Sequence, residues 1–193
     1  MNVRQRFRTA RRNLDRFEQS EHALAVSRAA ACSTLLLGSG AVGAYLSNAA
    51  DGELDTLPLL QRLWSMSKVV AVPVVAARQA HMNFYRLTPD ARLLRNRFGI
   101  GEPPMGSPFM HPLGLSLLFM PLVAFDDQGN RVGMGLGFYD RFLGRLPATL
   151  RPRLIGLAHE VQRSPARLEH KPWDIPLDGV ITEAGWQSFT TVI

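Results

Sequence analysis

Three stretches of this chain are apolar without alternating: KVVAVPVV (68–75), LSLLFMPLVAFD (115–126) and RLIGLAHE (153–160). A strand with one wet face alternates apolar and polar residues, whereas a strand covered on both faces does not. These runs therefore demand cover above and below. Shorter strands are expected in AVGAYLSN (41–48) and DIPLDGVITE (174–183). Helical spacing predicts a helix from residue 4 to about 30, with a break near Asn13–Asp15, and another through Leu59, Leu60, Leu63 and Trp64 capped by Asp55 or Thr56. A polar helical piece is expected around 89–96, and YDRFLGRL (139–146) reads as helix. Strands alternating with helices give a three-layer α/β/α fold with a mostly parallel sheet, a single domain over residues 1–193. Pro121, inside a predicted strand, marks a bulge or strand end.

The chain has 193 residues, 46% of them hydrophobic, enough for a full core. Its net charge is +6, nearly all of it arginine, since Lys68 and Lys171 are the lysines. Arginine suits bidentate binding of phosphate or carboxylate, and the charge alone favours a nucleic-acid partner only weakly. One cysteine, Cys32, excludes an internal disulfide and a thiol-rich metal site, and its apolar neighbours predict a buried thiol. The run 29–46 is interrupted by Ser33, Thr34, Gly38, Ser39, Gly40 and Gly43, so no membrane span is expected. The charged N-terminus has no apolar signal region, which makes a cytoplasmic location the expectation. The histidines His22, His81, His111, His159 and His170 lack metal-ligand spacing and read as structural or solvated.

RVGMGLGFYDRFL (131–143) packs Gly133, Gly135 and Gly137 into five positions. It lacks the third glycine of a dinucleotide fingerprint, because Phe138 fills the slot three positions after the second glycine, Gly135. No Gly-Lys-Ser/Thr of a P-loop occurs, nor the downstream motifs of a kinase. Backbone amides in such a turn still make a concave anion site, and Asp140 could hold Mg²⁺ on the anion. A plain β-turn into a helix, with Asp140 as its cap and Arg141 solvated, explains the residues equally well.

PLVAFDDQGNRVGMGLGFYDRFL (121–143) resembles the signature of the 5-formyltetrahydrofolate cyclo-ligase family at Pro121, Phe125, Asp126, Gly129, Arg131, Gly133, Gly135, Gly137, Phe138, Tyr139 and Asp140. YLSNAADGELDT (45–56), VPVV (72–75), MNF (82–84), GIGEP (99–103) and WDIPLDGVITE (173–183) follow in the family's order, so the likeness spans nearly the whole chain.

The resemblance implies a NagB/RpiA/CoA transferase-like α/β fold and closure of 5-formyltetrahydrofolate to 5,10-methenyltetrahydrofolate with ATP and Mg²⁺. It implies small-molecule partners, no nucleic acid and no membrane, in a monomer or weak homo-oligomer. Carried over residue by residue, Arg131, Val132, Gly133, Met134, Gly135, Leu136, Gly137, Phe138 and Tyr139 would hold ATP, together with Arg4 and Arg8 on the first helix. Residues 134–138 would also meet the folate, with Leu46 packing on it and Glu53 accepting from its pterin N–H groups. Asp140 would bind Mg²⁺, with Asp174 as second carboxylate and Asp178 as its competitor. Arg12 reads as a solvated charge. One further basic residue of the family would fall before Met1. Leu136 and Ser116 depart from the family's usual residues, which leaves a non-catalytic or altered-specificity folate- or nucleotide-binding relative as the alternative.

Overall fold

The stretches that lack alternation lie at the centre of one eight-stranded sheet. A computed structural model of the chain describes residues 1–75, 81–96 and 99–189. Its strands are β1 (Ala41–Gly43), β2 (Val69–Val75), β3 (Met82–Arg86), β4 (Leu94–Arg95), β5 (Gly101–Glu102) and β6 (Phe109–Met110), then β7 (Leu115–Pro121), β8 (Ala124–Phe125), β9 (Arg131–Val132), β10 (Arg153–Leu157), β11 (Gly179–Thr182) and β12 (Gly185–Ser188). The main sheet runs β12-β11-β10-β7-β1-β2-β3-β6. Its middle five strands, β11 through β2, are parallel; β12, β3 and β6 add antiparallel edges.

β7 shows why alternation is absent. Leu117 and Phe119 pack into the core on one face, and Leu118 and Met120 into the core on the other. All four are buried, and full burial of such side chains stabilises by about 1.5–3 kcal/mol each. The first face is covered by α2 (Arg16–Cys32) through Val26 and Ala30, and by α3 (Leu57–Ser65) through Leu59, Leu60 and Leu63. The second is covered by the short α4 (Phe138–Leu143) through Phe142 and Leu143, with Phe125, Leu177 and Phe189. The mostly parallel α/β fold is thus present, with one thick helical layer and one built largely of loops.

Local chemistry sets the helix ends. The expected break near Asn13–Asp15 is real: α1 (Val3–Arg12) stops there, and Asp15 opens α2 with a reciprocal capping box to Glu18. At α3, Asp55 accepts the N–H of Leu57 while Thr56 turns its hydroxyl to the Tyr45 carbonyl. Pro121 ends β7, as a residue without a ladder donor should.

Two expectations fail. Residues 89–96 are not helical: Leu94–Arg95 pairs with Gly101–Glu102 in a hairpin. Asn96 drives it, accepting from Ile100 N at 3.1 Å and donating to Glu102 at 2.9 Å. So short a polar segment cannot repay helix nucleation when a side chain offers the backbone local bonds. Cys32 is exposed rather than buried, because it ends α2 on the side away from the sheet contacts made by Val26 and Ala30. The edge strands β6 and β12 carried no strand signal in the sequence.

Close strand packing yields a test. A Cβ placed on Gly179 would lie 2.1 Å from the Trp186 ring and 2.6 Å from the Gln187 carbonyl oxygen across the β11–β12 pair. Gly179→Ala should therefore lower stability by about 1–3 kcal/mol. Urea unfolding should show an earlier midpoint with an unchanged slope.

Candidate functional site

The parallel strands all end on the same side, where α/β sheets hold ligands in the crevice at their carboxyl ends. The chain leaving β1 there becomes residues 44–53, and the chain leaving β7 becomes residues 122–137. Between them opens a cavity of about 1410 Å³, also lined by the β4–β5 hairpin and by residues 169–175.

The first half of the 121–143 segment is scaffold. Asp126 accepts the N–H groups of Gln128, Asn130 and Leu168 and the Asn130 amide, at 2.8–3.0 Å, which fixes the β8–β9 hairpin. Gly129 has φ 81°, and a Cβ there would sit 2.7 Å from the Leu177 carbonyl oxygen. The second half, residues 131–141, lines the cavity. Gly137, with φ 61°, caps α4. Gly133 differs: its φ is ordinary and a Cβ would meet nothing within 4 Å. Neither backbone conformation nor internal packing requires glycine there, and a ligand drawn close to the backbone would.

Helix α1 stands on this loop through Phe7, which packs with Val123, Ala124 and Leu168. Arg4 Nε donates to the Gly133 carbonyl at 2.8 Å, and its guanidinium lies 3.3 Å from where a Gly135 Cβ would be. Arg8 is one turn further on, held on Asp51 at 2.6 Å, and it does not line the cavity. Arg12, expected to be solvated, also ion-pairs with Asp51 while its side chain stays 48% exposed.

Sequence reasoning missed Arg11 and Asp51. Arg11 is 1% exposed. It donates to the Asp51 carbonyl at 2.8 Å, to the Leu122 carbonyl at 3.0 Å and to the Asp51 carboxylate, with Glu53 at 3.8 Å. The signal was available: continuing Arg4 and Arg8 by three residues reaches Arg11 on the same helical face. Burial alone would raise the Asp51 carboxyl, but the Arg8 hydrogen bond and the charges of Arg11, Arg8 and Arg12 hold it below the usual range.

Glu53 lines the cavity, accepts the Asn48 N–H at 2.9 Å, and is pushed above the usual carboxylate range, chiefly by burial. Leu46 borders both cavity and core. Burial also raises the phenols of Tyr45 and Tyr139. Arg131 donates to Asp140 at 2.6 Å and to the Ile175 carbonyl at 2.7 Å, so the expected phosphate ligand and metal ligand engage each other. Val132, Met134, Leu136, Phe138 and Tyr139 complete that wall. Asp174 lines it too, with one carboxylate oxygen accepting the Lys171 N–H at 2.8 Å. Asp178 does not; it is bound by Leu154 N at 2.7 Å and by Arg151. Lys171 and the 66% exposed Trp173 also line the cavity, and sequence reasoning assigned neither a role. Ser116, away from the cavity, accepts the Gly40 N–H at 2.9 Å and so keeps a loop contact. Among the described residues no helix is long and apolar enough to cross a membrane.

The model of the 5-formyltetrahydrofolate cyclo-ligase family matches residues 1–183. A protein of Haemophilus influenzae named 5-formyltetrahydrofolate cyclo-ligase is 37% identical over 182 residues, covering 93% of this chain and 95% of that one. Its namesake from Escherichia coli K12 is 42% identical over 134 residues, 68% of this chain and 72% of that one. Among solved structures, the 5,10-methenyltetrahydrofolate synthetase of Aquifex aeolicus superposes with a TM-score of 0.83 at 28% identity, covering 99% of this chain and 93% of that one.

The Arg11–Asp51 pair gives two expectations. Arg11→Met removes a buried donor from the Asp51 carbonyl and leaves the Asp51 carboxylate to Arg8 and Arg12, and should cost roughly 1–3 kcal/mol in denaturant unfolding. Because the folded Asp51 carboxyl lies below its ordinary value of 3.8, its contribution is full above that pH and lost as pH falls through the lower folded value. Acid titration of stability should therefore be shallower below pH 3.8 for Asp51→Asn than for the parent chain.

Proposed function

Because the chain belongs to the 5-formyltetrahydrofolate cyclo-ligase family, we propose that it converts 5-formyltetrahydrofolate to 5,10-methenyltetrahydrofolate, consuming ATP and releasing ADP and phosphate. The observation that carries this reading is the single cavity shared by the glycine loop with Arg4, the Glu53–Leu46 loop, and Asp140 with Asp174.

The chemistry explains why such a wall suffices. A formyl group on nitrogen is an amide, a poor electrophile with a poor leaving group. Transfer of the γ-phosphoryl group to the formyl oxygen forms an O–P bond and breaks the bond to ADP. N10 then attacks the formyl carbon and loses its proton, and the C–O bond breaks as phosphate leaves. Phosphoryl transfer of this kind needs positioning and charge neutralisation, with no protein nucleophile. Residues 131–139 supply the amides and the Arg131 guanidinium, and Arg4 supplies further positive charge. Gly133 lets the phosphates approach the backbone. Leu46 and residues 134–138 hold the folate, and Glu53 accepts hydrogen bonds from its pterin N–H groups.

The oxygen donors Asp140 and Asp174 suit a hard divalent cation such as Mg²⁺, which when bound would neutralise phosphate charge. Asp140 and Arg131 work as a unit, since their mutual ion pair keeps both oriented on the cavity wall before substrate arrives. The reading places the chain in the cytoplasm as a monomer or weak homo-oligomer, acting on small molecules without nucleic acid or membrane.

Purified protein with 5-formyltetrahydrofolate, ATP and Mg²⁺ should generate methenyltetrahydrofolate absorbance, and none when ATP is withheld. Asp140→Ala should lower kcat by roughly 10²–10³-fold. Glu53→Gln should raise the folate KM about 10-fold or more, with a smaller change in kcat, as loss of a charged acceptor predicts. Tight folate binding without ATP turnover would instead select a non-catalytic relative.

A further inference from the structure

Behind the Arg11–Asp51 cluster, His22, His159 and Glu183 converge from three elements: α2, the end of β10 and the end of β11. His22 Nδ1 lies 2.9 Å from His159 Nδ1 and 3.5 Å from a Glu183 oxygen. One donor atom from each residue falls within 4.8 Å of the others. His159 is fully buried, and its Nε2 is buried without a hydrogen-bond partner among the described residues. None of the three residues lines the substrate cavity.

We propose that His22, His159 and Glu183 form a binding site for a borderline divalent transition cation of the zinc class, separate from the cavity. Two imidazole nitrogens and one carboxylate oxygen are the donor set such ions take, with a further position left for water. The two imidazole nitrogens are 2.9 Å apart, His22 lies 3.5 Å from Glu183, and all three donors fall within 4.8 Å of one another, so a small side-chain adjustment brings each to the roughly 2.0–2.2 Å such an ion takes. Mg²⁺ prefers oxygen donors and is a poor match.

The surroundings agree in detail. A hydrogen shared between the two Nδ1 atoms accounts for the 2.9 Å contact but does not explain why Glu183 also converges. Glu183 is oriented by the Glu160 N–H, which donates to both its oxygens at 3.0–3.1 Å and leaves lone pairs facing the histidines. Arg11 opposes a cation here, and Glu183 and Glu160 favour one. The bound ion would pin α2 to the ends of β10 and β11, beside the loop that carries Asp51 and Glu53.

The test uses the full chain after chelator treatment, with Zn²⁺ in calorimetry and Co²⁺ as a spectroscopic probe. His22 and Glu183 are each about one-fifth exposed in their side chains. His22→Asn and Glu183→Gln therefore remove a ligand without opening the core, and circular dichroism of the metal-free proteins checks their fold. The parent chain should bind one equivalent of Zn²⁺, give visible Co²⁺ absorption bands, and retain the ion against millimolar Mg²⁺. Each variant should bind at least about 10-fold more weakly, since even outer-shell changes cost that much. Absence of stoichiometric binding, or a variant that binds as tightly as the parent, would overturn the site. Neither result depends on cyclo-ligase activity, so the two readings fail separately.

Discussion

One buried guanidinium holds three parts of this molecule in register. Arg11 reaches from α1 to the Leu122 carbonyl after β7 and to both backbone and carboxylate of Asp51 after β1. Without it, α1 would rest on Phe7 and exposed charges, and the two loops that wall the cavity would have no common anchor. A charge this deeply buried is tolerable only when its donors are satisfied, which is why Asp51 sits inside a group of arginines rather than beside one. Stability and site geometry therefore rest on the same contacts: the helix that carries Arg4 to the glycine loop is fixed by the residue two turns along.

The layered sheet supplies what these loops need, a rigid edge. Five parallel strands end together, and their side chains are buried on both faces, so the segments leaving β1 and β7 start from positions that packing determines. The glycine segment then divides by role. Asp126 and Gly129 build a hairpin from internal bonds. Gly133 answers to no internal demand, and it is the position where the backbone is barest toward the cavity.

Much of this was legible in the chain itself. Unalternating runs announced buried strands, and the break expected near Asn13–Asp15 divides α1 from α2. The 121–143 segment stood out because glycine at that density has no structural use in a helix or strand. What escaped had weaker local signals. The β4–β5 hairpin depends on Asn96 bonding across a turn, and β12 on a tryptophan packed over a glycine, neither of which leaves a period in the sequence. Arg11 drew no assignment, since its burial depends on carbonyls 40 and 111 residues away. His22 and His159 have no metal-ligand spacing because 137 residues separate them. Parallel-sheet topology alone brings them together.

The scarcity of lysine has a practical side. Lys68 spends its ammonium on the carbonyls of Leu36 and Ser39, at 2.8 and 3.0 Å, whereas Lys171 stands exposed on the cavity wall beside Trp173. Arginine supplies almost all the remaining positive charge and is inert to mild acylating reagents. Amine chemistry on the folded protein is thereby directed to Lys171 and the α-amino group, which turns an ordinary protein-labelling reaction into a reporter of whether the cavity is filled.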